Sequence, residues 1–133
     1  VLISALTAEA ETERVQAWLA GQTEGAVCIS DWVVSEFSSA MSLKLRRGDL
    51  SADERARILS NWRIVQQDNL ATVPVPSAAF DLAARFCDHH ELGLRAGDGL
   101  HLAVASMGGH HMATLDQAMA KAAVAVGVPV EAV

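Results

Sequence analysis

The sequence predicts an α/β fold in which a parallel sheet is covered by helices on both faces. Three observations predict it. Short apolar runs alternate along the chain with segments of helical periodicity, the pattern of strands joined by helical crossovers. Ala26-Val27-Cys28-Ile29 is apolar at every position, as a strand covered on both sides must be. The chain has 133 residues, 51% hydrophobic and 20% charged. That is the make-up of one domain, residues 1–133, able to bury a core without a disulfide or structural metal.

Taken in order, Glu9, Glu11 and Glu13 precede Val15, Trp18 and Leu19. This suits a helix over about residues 7–20 with negative charge at its positive end, closed by Gly21 and Gly25. After the first apolar run, Ser30 and Asp31 are helix starters. Val34, Phe37, Met41 and Leu45 then keep helical spacing, and Lys44, Arg46 and Arg47 place positive charge at the helix end before Gly48. Ser51 and Glu54 fit a capping box for a third helix running to about residue 67. Residues 72–75 read as a strand, and Pro76-Ser77 open a helix whose apolar stripe is Phe80, Ala83, Ala84 and Cys87. A helix over 96–107, a strand over 112–115, a helix over 117–126 and a strand over 128–130 complete the chain. Pro129 marks that last strand as an edge.

No apolar run approaches the ~18 residues needed to span a bilayer. Cys28 and Cys87 lie in apolar patterns and are expected to be buried and reduced, which places the protein in the cytoplasm. Sixteen acidic residues against ten basic ones give a net charge of −6. That counts against a nucleic-acid partner unless the acidity is concentrated where cations neutralise it.

Parallel sheets bind ligands beyond the carboxyl ends of their strands. Three acids stand in such places. Asp98 lies in the first turn of the helix Ala96–Met107, which is apolar almost all round from Leu100 onward, so its carboxylate needs a partner. It also reads as a helix N-terminal acid held by backbone N–H groups. Asp116 ends the run Met112-Ala113-Thr114-Leu115 and equally fits an N-cap. Glu36 stands one turn into the helix after the first strand, among Ser35, Ser38, Ser39 and Ser42, and also suits a solvated surface. Two carboxylates ~4 Å apart repel by about 4 kcal/mol at an effective dielectric of about 20, so a cluster of all three requires cations or raised pKa values. Hard oxygen donors without a Cys or His set point to Mg²⁺ or Mn²⁺.

The order Val1-Leu2-Ile3, Ser35-Glu36-Phe37, Gly97-Asp98-Gly99-Leu100-His101-Leu102-Ala103, Ala113-Thr114-Leu115-Asp116 and Gly127-Val128-Pro129-Val130 resembles the PIN domain. More narrowly it is similar to the VapC-type ribonuclease toxins of bacterial toxin–antitoxin pairs. The resemblance spans essentially the whole chain. It implies a three-layer α/β/α sandwich with a central parallel sheet, and RNA hydrolysis dependent on Mg²⁺ or Mn²⁺. It further implies in-line attack of water leaving a 5′-phosphate, a cognate antitoxin protein as inhibitor and a homodimer. Carried over by position, it assigns Glu36, Asp98 and Asp116 to the acidic metal site and Thr114 to the hydroxyl two residues before the last acid. The family pattern opens with a strand ending in Asp ahead of an apolar stretch like Val1-Leu2-Ile3. The expectation is therefore that this strand and acid precede Val1, and that the chain as written, with three of four acids, is weak in metal binding and activity.

Other signals carry less. Asp88-His89-His90-Glu91 holds metal-ligand types but reads as a helix C-terminus before Gly93. His101, one turn from Asp98, reads as a satisfied, partly buried histidine. Trp18, Trp32 and Trp62 read as core or dimer-interface residues. Lys44, Arg46, Arg47 and Arg95 are the candidate RNA contacts, Arg95 because it precedes Asp98. Two other functions fit the same residues: a non-catalytic PIN-like module that binds RNA or protein, and a metal-dependent phosphatase.

Overall fold

Two helices of this protein open on side-chain N-caps, Ser51 and Asp116, and the strands between the helices are short. The structure, a computed structural model, describes residues 1–133. It comprises two compact units, Val1–Pro74 and Val75–Val133.

In the first unit, α1 (Leu2–Leu6) stops at Thr7, whose N–H and hydroxyl both donate to Ile3 O at 2.9 and 2.8 Å. The helix expected from about residue 7 begins only at Thr12, as α2 (Thr12–Ala20). The reason is local. Thr12 Oγ1 donates to Thr7 O at 2.7 Å and accepts the Glu9 N–H at 2.9 Å, which holds residues 7–11 in a turn. Glu9 then reaches Lys44 Nζ at 2.9 Å and accepts from Ser4 Oγ at 2.7 Å.

Strand β1 (Cys28–Ser30) pairs in parallel with β2 (Ala71–Val73), Ile29 opposite Thr72. The second strand ends earlier than its apolar run because Pro74 has no N–H to give the ladder. Between the two strands, α3 (Asp31–Arg47) closes at Gly48, whose φ of 80° is the left-handed conformation that favours glycine. α4 (Ala52–Asn69) opens with a complete capping box: Ser51 Oγ accepts the Glu54 N–H at 3.2 Å and the Glu54 carboxylate accepts the Ser51 N–H at 2.8 Å. Phe37 stacks on Trp62, with ring centroids 4.4 Å apart, in a core shared with Ile29 and Met41. Trp62 is thus a core residue, whereas Trp32 is 39% exposed and Trp18 is half-buried.

The second unit contains α5 (Ser77–Asp88), α6 (Ala96–Gly108), β3 (Met112–Ala113), α7 (Gln117–Ala125) and β4 (Val130–Glu131). β3 and β4 pair in parallel across α7, Met112 opposite Val130. The parallel pairing follows the strand–helix alternation, and the hydrogen bonds resolve into two ladders of two strands each. α6 buries Gly99, Leu100 and Leu102 through Ala105, so no face of it is open over that stretch. Its neighbour α5 presents Ala79 and Ala83, both buried, and a Cβ at Gly99 would lie 2.7 Å from Cys87 Sγ and 3.1 Å from Ala83 O. Such close approach demands small side chains at the contact. It turns α5 so that Phe80, expected on the buried stripe, is 54% exposed. Cys28 and Cys87 are free thiols, and both are half-buried rather than enclosed as expected.

Candidate active site

Asp98 is the third residue of α6, and its Oδ2 accepts the Arg95 N–H at 3.0 Å. This return bond is the acidic half of a capping box. Arginine carries only donors, so the N-cap side chain cannot supply the other half. Asp116 is the N-cap of α7; its Oδ1 accepts the N–H groups of Ala118 at 2.7 Å and Met119 at 3.1 Å. Thr114 Oγ1 accepts the Asp116 N–H at 3.1 Å, which ends β3 two residues short of the expected strand and fixes the backbone that presents the acid.

Both carboxylates line one cleft of about 270 Å³ in the second unit, together with Arg95, Leu92, Leu94 and Met119. Each acid stands at a helix N-terminus, where the dipole and free N–H groups favour negative charge. That is how two carboxylates share a cleft with no lysine between them. One wall depends on Gly93, which ends the short 3₁₀ turn His90–Leu92 with φ 62° and ψ 22°. A side chain there would be strained, and the turn carries Leu92 and Leu94 to the cleft. The sequence marks Gly93 only as a stop; the two flanking leucines form the wall.

The other predicted residues are placed within their own units. Glu36 is half-buried in α3, in the first unit. Lys44 forms the ion pair with Glu9, the side chains 28% and 33% exposed, so its charge already has a partner. Arg46 and Arg47 are exposed at the end of α3. His89 and His90 each sit 3.4 Å from Glu91 on open surface. His101 is half-buried in α6.

Residues 1–125 match the PIN domain family. The chain belongs to that family. PIN domains are generally nuclease modules, typically metal-dependent hydrolases that use Mg²⁺ or Mn²⁺. No individual curated protein matches the chain. No helix of this PIN domain is long and apolar enough to cross a membrane.

The donor chemistry of the cleft suits such an ion. Mg²⁺ is commonly held by one or two carboxylates, with water and substrate phosphate completing its shell. Asp98 and Asp116 supply two hard carboxylates on one cleft, and each has an oxygen outside its capping bonds. No third His, Cys, Asp or Glu joins them within residues 75–133.

Proposed function

We propose that this PIN domain is a Mg²⁺- or Mn²⁺-dependent endoribonuclease, the toxin of a bacterial toxin–antitoxin pair of the VapC type. In this reading a cognate antitoxin restrains it, and it works as a homodimer in the cytoplasm. The observation that carries the reading is the meeting of Asp98 and Asp116 on one cleft. Asp98 and Asp116 hold the ion. Thr114 acts through Asp116, holding the start of α7 so that the carboxylate stays in place. Glu36 belongs to the same acidic set on the family pattern. A bound divalent cation would polarise the phosphodiester, lower the pKa of the attacking water and shield the leaving oxygen. The helix N-termini beneath both acids set backbone N–H groups and the positive end of the dipole beside the carboxylates.

The assay uses the full natural protein. RNA cleavage is expected to stop on addition of EDTA and to fall roughly 100-fold or more in Asp98→Asn, beyond the loss typical of a ligand's outer partners. Undiminished cleavage by Asp98→Asn overturns the site. One observation favours a second reading: each acid already caps its own helix, a role that needs no ion. A PIN-like module that binds RNA or protein without cutting would show no heat of Mg²⁺ or Mn²⁺ binding at millimolar ion.

A further inference from the structure

Of the four cationic side chains that the sequence offers to a nucleic acid, only Arg95 lines the cleft. Its side chain is exposed and forms no ion pair with Asp98 or Asp116, although both border the same space. Its backbone N–H is fixed to Asp98 at 3.0 Å, so the base of the side chain is anchored while the guanidinium is free.

Charge decides what such a cleft accepts. Two carboxylates and one guanidinium leave one negative charge in excess, which repels a phosphodiester. A divalent cation reverses that to one positive charge, which a phosphodiester's single negative charge cancels. The planar fork of arginine matches two non-bridging phosphate oxygens, an arrangement that a lysine's point charge does not reproduce. N-cap position 95 would be filled better by Ser, Thr, Asp or Asn for helix stability alone. The arginine is therefore not explained by capping.

Resting on the nuclease reading above, we propose that Arg95 is the substrate-binding residue of this cleft, gripping a phosphate of the RNA strand beside the acids. Its contribution is to affinity rather than to the chemical step.

The test separates binding from cleavage. Binding of a fluorescently labelled single-stranded RNA oligonucleotide is measured by anisotropy with Ca²⁺ in place of Mg²⁺ or Mn²⁺, so that a divalent charge is present in the cleft, with the RNA checked intact on a gel, over a series of salt concentrations. Arg95→Gln keeps the backbone N–H and is expected to weaken binding about 10-fold at low salt. It should also flatten the slope of log affinity against log salt by about 0.7, the loss of one phosphate contact to a single strand. Arg95→Lys should recover the slope but only part of the affinity. Arg85→Gln, on α5 and outside the cleft, is the control. An equal loss there would mean bulk charge and overturn the assignment, as would an unchanged slope in Arg95→Gln. In steady-state cleavage with Mg²⁺, Arg95→Gln should raise KM and leave kcat within about twofold; a fall in kcat alone overturns the binding role. If the slope changes in Ca²⁺ and neither the unaltered protein nor any variant cleaves in Mg²⁺ or Mn²⁺, Arg95 stands and the nuclease reading falls.

Discussion

At the start of α4, Ser51 and Glu54 close a reciprocal pair of bonds in open solvent; at the start of α6, Arg95 and Asp98 close only one. The spacing is the same and the acid occupies the same position in each helix. The difference lies in the N-cap. Serine completes the helix end and has no further use for its side chain, whereas arginine forfeits a capping bond and extends a charge into a cleft. Two helix starts of one pattern thus divide into a stabilising one and one whose local stability is traded against placement of charged groups.

The comparison can be broken most forcefully at Gly99. Gly99→Ala drives a methyl against Cys87 Sγ and the Ala83 carbonyl, at 2.7 and 3.1 Å. It should destabilise the fold by about 2 kcal/mol in chemical denaturation, as overpacking does. It should also shift Asp98, one residue away, while leaving the capping box of α4 intact. Ser51→Ala removes the cap of α4 and should cost about 1 kcal/mol without affecting RNA cleavage. Arg95→Ser sharpens the contrast because it should do the reverse. Supplying the missing acceptor should stabilise the protein by about 0.5 kcal/mol or more, while RNA binding weakens.

The smallest effect expected concerns Glu9. Hydrogen bonds from Lys44 and then Ser4 hold its carboxyl below its ordinary value of 4.5. Its folded pKa is the lower one, so its contribution to stability is full above about pH 4.5 and lost as the pH falls through the folded value. With both side chains about a third exposed, the pair is worth on the order of 0.5 kcal/mol. Lys44→Ala should remove that amount at pH 7 and shallow the acid limb of the stability curve.

How much of this was legible depended on whether the deciding interaction was local. The Ser51–Glu54 box, the stop at Gly48, the Asp116 cap and the helix after Pro76 all rest on residues within four positions of one another, and the sequence displays them. The start of α2 was misplaced because a threonine hydroxyl, Thr12, bridges back to Thr7 and outweighs the acidic run. Phe80 was misplaced for a longer-range reason. The orientation of α5 is set by where α6 lacks a side chain, at Gly99, and hydrophobic spacing within α5 carries no trace of that. For the site, the sequence marked Asp98, Asp116 and Arg95, and the cleft joins them. The leucine wall has no such mark in the sequence, because Leu92 and Leu94 become neighbours of the acids only through the left-handed turn at Gly93.

The enclosure of α6 has a consequence for motion. Leu102 through Ala105 are buried, and the helix they belong to carries Asp98 at its first turn. Their amide protons can exchange with solvent only when the unit opens as a whole, so they should be among the slowest in the chain. Fraying at the helix end can free the Arg95–Asp98 bond briefly, but the axis on which the acid rides is as durable as the core itself. A ligand that binds this cleft in the folded state alone would therefore slow those same interior amides, reporting occupancy from a place it never touches.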